Sequence, residues 1–308
     1  RREPSQKERP ISSSGKAGDG RAAAAAFDDE AGGVTMSPLT RALTYAGLIV
    51  CSLVFAAPFF WLVTSALKRP EQLMAYPIEW IPRPFMWSNF REAWEFRPFP
   101  LYLRNTLTIA VLTTIGSMLS SSLVAYGLTR IDWPGRRVLF IAIISTMMLP
   151  YQVVMVPLFT LFVKLGWIDT FKPLIVPSFF LSAFYVYLLR GFFQAIPKDL
   201  SEAAHLDGAS EFGIYWRVIM PLARPAIATV GLFAFIGAWN DFVGPLIYLV
   251  NETNYTLALG LAMFQGQYGT YWHYLMAVST LVTLPIVVLF FFTQRTFIQG
   301  IALTGLKA

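Results

Sequence analysis

Residues able to do chemistry are few and scattered in this chain. The two histidines, His205 and His273, lie far apart, no H-E-x-x-H occurs, and Cys51 is the single cysteine. A histidine zinc pair, a thiolate metal site and an intrachain disulfide are therefore not expected. No G-x-x-x-x-G-K-[ST] loop is present to cradle a nucleotide phosphate. What remains is a handful of polar residues in apolar surroundings: Gln152 between Pro150 and Pro157, and Trp239, Asn240 and Asp241. An ionisable group at membrane depth is costly and by default marks a solute or ion path. Asn240 adds donors and acceptors, and Trp239 a ring face for the C–H side of a solute. Plainer roles stand beside these: Asp241 at headgroup level, Trp239 as an interfacial anchor, and Gln152 in a helix-to-helix hydrogen bond.

The elements that would position these residues are long apolar runs. Of 308 residues 56% are hydrophobic and 14% charged, an apolar share above that of soluble domains. A hydrocarbon core about 30 Å thick takes roughly 20 apolar residues per helix. Six runs meet or approach that length, at about 42–67, 107–128, 138–163, 174–195, 226–250 and 274–293, and the first three and the last carry no charge. The fourth is uncharged only from Leu174 to Leu189, with Lys172 and Arg190 at the ends of that short stretch to reach the headgroups while the helix continues toward Ala195. The fifth is interrupted by Asp241. The expected fold class is all-α, a polytopic membrane protein with six transmembrane helices. Residues 1–35, rich in Ser, Gly, Ala and charge, are expected to be a disordered tail ahead of a transmembrane domain over 36–308.

The net charge of +6 comes partly from that tail. With so much apolar sequence behind it, the expected partner is the lipid bilayer and its anionic headgroups, and not nucleic acid. The distribution of Lys and Arg favours an N-terminus inside. The link 251–273 has neither Lys nor Arg, as suits an outer segment.

Between the fourth and fifth runs the pattern changes. The stretch "EAAHLDGASEFGIYWRVIMP", from Glu202 to Pro221, reads as two short amphipathic helices joined at a glycine, an elbow over 199–221 on the inner side. Asp199 and Glu202 have the spacing of a capping box, and Gly208 suits a left-handed C-terminal cap. Phe212, Tyr215, Trp216 and Ile219 fall at i, i+3, i+4 and i+7, a stripe that needs an apolar cover. Spacing leaves open whether that cover is the chain's own helix ends or another protein.

Taken together, Glu202, Ala203, Ala204, Gly208 and Pro221 resemble the cytoplasmic loop of the inner-membrane permease subunits of ATP-binding-cassette (ABC) importers. That loop reads EAA, three residues, Gly, nine residues, then I-x-L-P; here Val218 and Met220 stand for the Ile and Leu. "TSALK" at Thr64 to Lys68, "AWNDFVGPLIYL" at Ala238 to Leu249 and the closing "QRTFIQGIALTGLKA" look most like carbohydrate permeases of the maltose and glycerol-phosphate type, in particular the smaller, G-type subunit. The resemblance implies a type I importer permease fold and no enzymatic activity. It also implies a second homologous permease, an ATPase dimer that binds the ATP and Mg while this chain holds no cofactor, and an extracytoplasmic sugar-binding protein. The setting it implies is the cell membrane of a bacterium or archaeon. Glu202, Ala203, Ala204, Gly208, Phe212, Tyr215, Trp216 and Pro221 would then face the ATPase, and Gln265, Gln267 and Tyr268 in "FQGQYGTYW" the binding protein. The alternatives are an ABC permease for a non-sugar solute and a stand-alone secondary transporter, which would be expected to show paired broken helices and more buried carboxylates.

Overall fold

The computed structural model describes residues 37–266 and 269–305, without the side chains of Gly269 and 295–305. The tail expected to be disordered lies outside the described residues. The chain forms two compact units, 1–58 and 59–308. The first contributes the beginning of helix α1 (Pro38–Ala66), exposed from Ser37 to Pro58.

The second unit is organised around one long helix. After α2 (Pro70–Leu73) and α3 (Ser88–Phe96), α4 (Phe99–Thr129) runs 31 residues without a break, about 46 Å at 1.5 Å per residue. α5 (Arg136–Ser145) and α6 (Tyr151–Lys164) come next, then α7 (Lys172–Ile175) and α8 (Ala183–Ala195). The elbow region holds α9 (Asp199–Leu206), α10 (Glu211–Ile214) and α11 (Met220–Leu222). α12 (Arg224–Trp239), α13 (Val243–Tyr248), α14 (Leu257–Ala262) and α15 (Trp272–Gly305) complete the helices. α4 packs along α12 and α8, and α12 in turn along α15. One two-residue ladder departs from the all-helical expectation: β1 (Gln265–Gly266) pairs antiparallel with β2 (Gly269–Thr270).

Among the described residues four helical stretches are long and apolar enough to cross a membrane: α1, α4, Lys172–Ala195 and Trp272–Gln294. The number rises to six if each of two bent pairs counts as one span. Three of the expected runs are thus less regular than their composition. The third breaks by 99° between Arg136–Met148 and Tyr151–Lys164. Pro150 is the cause: it excludes helical backbone from the preceding residue, and Leu149 sits at φ −83°, ψ 114°. The fourth passes through a 3₁₀ turn at Val176–Phe179, opened by Pro177, before α8 begins. The fifth, expected to reach residue 250, stops at Trp239. Asn240 takes the C-cap, and the Asp241 carboxylate accepts the Gly244 N–H at 3.1 Å as α13 opens.

Two apolar cores sit at the two ends of α4. At its C-terminal end Ala125 and Tyr126 pack with Leu189, Phe193, Ile214 and Ile219. At its N-terminal end Phe99 and Tyr102 pack with Trp239, Leu257, Phe264 and Val278. The N-terminal end also holds the link after α13 by polar contacts. Asn105 donates to the carbonyls of Thr253 and Tyr255 at 2.9 and 3.0 Å, Thr106 Oγ1 accepts the Leu257 N–H at 2.9 Å, and Tyr102 donates to Glu252 at 2.7 Å.

Asp169, between α6 and α7, pins the same link from the other side. It adopts φ 60°, a conformation that Asp tolerates better than most residues. Its carboxylate accepts the N–H groups of Asn251 and Val250 at 2.9 and 3.0 Å and the side-chain amides of Asn251 and Asn254. These bonds, the Asn251 N–H foremost, favour the charged form and hold the carboxyl well below the usual carboxylate range. The folded value is depressed, so this stabilisation is complete above the unfolded carboxylate pKa of about 3.9 and is lost as pH falls through the lower folded value. Hydrogen exchange at Val250 and Asn251, corrected for intrinsic rates, should keep constant protection between pH 7 and pH 4. Asp169→Ala should raise that exchange about tenfold throughout the range.

Candidate functional site

The elbow starts one residue earlier than the capping-box spacing implies. Pro197 arrives with φ already near the helical value, and the Lys198 carbonyl accepts the N–H groups of Ser201 and Glu202 at 2.8 and 3.1 Å. Asp199 is thus the first helical residue and not the cap, and no Asp199–Glu202 capping box forms. Both acids still lie in the first turn, where the helix dipole favours negative charge. Glu202 is exposed and its carboxylate makes no hydrogen bond or ion pair among the described residues; Ala203 is exposed and Ala204 half-buried.

Gly208 ends α9 at φ +78°. Its N–H donates to the His205 carbonyl and that of Ala209 to the Ala204 carbonyl, both at 3.0 Å, the two bonds of a Schellman cap. Ser210 then caps α10, its Oγ accepting the Gly213 N–H at 3.2 Å. A serine three residues ahead of Gly213 is an N-cap signal readable from sequence, though the elbow's expected caps did not include it. Glu211 was not expected as an anchor either. One of its carboxylate oxygens accepts the Tyr126 hydroxyl at 2.6 Å and the other lies 3.0 Å from His205 Nε2, so it ties α9, α10 and α4 at one point.

The aromatic stripe does not stay on one face. Residues Tyr215–Ile219 form a π-helical turn, which takes more residues per turn than an α-helix and shifts the register of the residues after it. Ile214, Tyr215 and Ile219 are buried. Tyr215 is 2% exposed, its hydroxyl 2.8 Å from Ser122 and its ring edge-on to Tyr126 at 5.3 Å. It is an internal anchor and is not available to a docking protein. Phe212 and Trp216 are 68% and 55% exposed. Pro221 is exposed beside Trp216 in a cleft of about 400 Å³ that also takes in Met118, Arg224 and Ile227.

The residues proposed for a solute path are held differently from one another. Trp239 is 3% exposed and stacks on Phe235 at 5.7 Å; it is a core residue, neither an interfacial anchor nor an open ring face. Its indole N–H has no partner among the described residues. Asn240 is exposed and turns its amide back to the Ile236 carbonyl at 2.9 Å. Asp241 is half-buried with its carboxylate on the Gly244 N–H. Gln152 is exposed in the first turn of α6 and makes no hydrogen bond to the other three. Gln265 is exposed in β1, whereas Gln267 and Tyr268 lie outside the described residues. The elbow and this hairpin are at opposite ends of α4: Tyr126 meets Glu211, and Phe99 meets Phe264 at 5.6 Å.

Residues 115–302 match the family described as the binding-protein-dependent transport system inner membrane component. The chain belongs to this family. Its members are transport permeases, and the match covers α4 from its middle onward, the elbow and the spans beyond it. Similar proteins include the arabinooligosaccharides transport system permease AraQ of Bacillus subtilis, 32% identical over 84% of this chain and 93% of that one. The trehalose/maltose transport system permease MalG of Thermococcus litoralis is 30% identical over 87% and 98%. The sulfoquinovosyl glycerol transport system permease SmoH of Agrobacterium fabrum is 31% identical over 81% and 88%. The fold matches a solved bacterial ABC transporter involved in alginate import, with a TM-score of 0.75 and 22% identity, over 85% of this chain and 99% of that one.

The Gly208 cap separates backbone strain from crowding. No atom lies within 4 Å of a Cβ built at Gly208, nor of one built at Gly127 in α4, where φ is not positive. Gly208→Ala should therefore cost about 1–2 kcal/mol from the left-handed backbone alone, seen as faster hydrogen exchange at Gly208 and Ala209. Gly127→Ala should be neutral or slightly stabilising. Equal behaviour of the two variants would show that the cap carries no strain.

Proposed function

We propose that this chain is one of two permease subunits in an ABC importer of an oligosaccharide or sugar derivative, with elbow 199–221 seated in a groove of a separate ATPase. The observation that carries the reading is the elbow itself. Phe212, Trp216 and the unpaired Glu202 are presented outward, at the spacing of the family's loop, on a segment anchored to α4 through Glu211 and Tyr215. An exposed pair of aromatics is costly for a lone protein and characteristic of a binding hot spot. The sugar assignment rests on the relatives, which are named for arabinooligosaccharides, trehalose/maltose and sulfoquinovosyl glycerol.

In this reading the ATPase dimer binds ATP and Mg, and the N-terminus and the elbow face the cytoplasm of a bacterium or archaeon. The solute passes between this subunit and its homologue, near Asn240, Asp241 and Gln152. It is delivered by an extracytoplasmic binding protein that meets the hairpin around Gln265, Gln267 and Tyr268.

Trp216→Ala should weaken ATPase association by about tenfold or more, measured by co-purification and by substrate-stimulated ATP turnover of the reconstituted complex. Tyr76→Ala, which removes an exposed aromatic outside the elbow, should leave association near normal. A Trp216 variant that couples like the parent would remove the elbow from the interface. On the other face, a cysteine at Gln265 in a Cys51→Ser background should crosslink to the binding protein in the ATP-trapped complex. Labelling of that cysteine from the cytoplasmic side would invert the topology.

A further inference from the structure

Apart from the elbow and the broken spans, a cleft of about 170 Å³ opens at the C-terminal end of α4, lined by Arg130, Arg136, Arg190 and Lys198 with Thr129 and Gln194. A second cleft of about 410 Å³ shares Arg136 and Arg190 and adds Arg137, Phe140 and Ile141. Five cations from the C-cap of α4, α5, α8 and the residue before α9 thus converge across the two linings, with no acid in either. They are not equivalent. Arg130 is committed to structure, donating to the carbonyls of Phe193 and Ile196 at 2.7 and 2.6 Å and so closing the end of α8. Arg136 pairs with Asp132. Arg190 lies over the Phe140 ring, 4.0 Å from its centroid, and makes no hydrogen bond among the described residues; its Nε–H is sealed from solvent without a partner. Lys198 also lacks a partner among the described residues.

A guanidinium half-removed from water with no hydrogen-bond partner is costly until an anion completes it, and its planar fork fits phosphate oxygens. The neighbouring cleft is apolar where it leaves the arginines. Leu128, Phe140 and Ile141 line it there, and Ile141 is exposed. Trp133, just past the end of α4, is held by its indole, which donates to the Gly127 carbonyl at 2.9 Å. A charged pocket that opens onto an apolar groove has the shape of a molecule with a phosphate head and hydrocarbon tails. We propose that the cleft holds the phosphate of an anionic phospholipid, gripped by Arg190 and Lys198, with its acyl chains along Phe140 and Ile141. A soluble phosphate would satisfy the cations and leave the groove uncovered. The site depends on the chain crossing a membrane and is independent of the imported solute.

The test uses the purified complex in phosphatidylcholine nanodiscs titrated with phosphatidylglycerol, with retained lipids counted by native mass spectrometry. The parent should retain phosphatidylglycerol in preference to phosphatidylcholine. Arg190→Gln with Lys198→Gln should weaken that retention about tenfold or more, whereas Arg190→Lys alone should keep most of it. Arg91→Gln, which removes an exposed cation elsewhere, should change nothing. Inorganic phosphate should not displace the lipid; displacement by millimolar phosphate would make this a site for soluble phosphate and overturn the lipid assignment. Unchanged lipid retention, with loss of a protein subunit from the double variant, would make the cleft a protein contact and also overturn it. If the double variant does not assemble, spin-labelled phosphatidylglycerol and phosphatidylcholine are compared on the parent complex, where equal affinity refutes the proposal.

Discussion

A backbone N–H or C=O left without a partner in hydrocarbon costs several kcal/mol, yet this chain breaks its apolar helices repeatedly. Several of these breaks and helix ends are closed by polar side chains. Arg130 reaches across to the open carbonyls at the end of α8. Asn89, itself buried, donates to the carbonyls of Ala66 and Lys68 where α1 ends, at 2.8 and 2.9 Å. Asn240 and Asp241 serve the two sides of the gap between α12 and α13. Asn105, Thr106 and Asp169 take up the irregular link beyond that gap. Several of these side chains belong to α4 or its cap. An unbroken helix satisfies its own backbone, which leaves its side chains free to satisfy others.

This arrangement fixes the elbow in place. Two short helices of 8 and 4 residues would not hold together in isolation. They are held because Glu211 meets Tyr126, Tyr215 meets Ser122, and the Gly208 cap sets the angle between them. Two of the three, Tyr126 and Ser122, belong to the C-terminal part of α4. The link after α13 is tied to the first turns of the same helix by Tyr102, Asn105 and Thr106. One long helix therefore holds both the elbow and the link that leads to the hairpin, one at each of its ends.

Much of this was legible in the sequence, for reasons that also mark the limits. Apolar run length gave the membrane and the approximate positions of the helices, since it depends only on bilayer thickness. Gly208 was legible because only glycine takes φ +78° without penalty. The motif "TSALK" was read by resemblance, and its physical content is burial: all five residues, Lys68 included, are shielded, with the Lys68 ammonium 4.1 Å from the Trp61 ring. The helix breaks at Pro150 and Pro177 were available in principle, but uniform hydropathy hid them. The fate of Trp239 was not available, because whether an aromatic at a helix end faces lipid, solute or core depends on neighbours such as Phe235 that only the fold brings near. Asp169 was overlooked for a similar reason: its partners, Val250 and Asn251, are some eighty residues away.

The π turn at Tyr215–Ile219 shows how a short segment serves two surfaces at once. In a continuous α-helix, positions 212, 215, 216 and 219 would share a face, so burying Tyr215 and Ile219 would draw Phe212 and Trp216 toward the core with them. The wider turn lets Ile214, Tyr215 and Ile219 face inward while Trp216 faces out. Burial of the inward side chains contributes on the order of 2 kcal/mol each, enough to offset both the irregular turn and the exposure of two large aromatics. Without that register shift the elbow could be anchored or could present its aromatics, but four α-helical residues continued by a regular turn would not suffice for both.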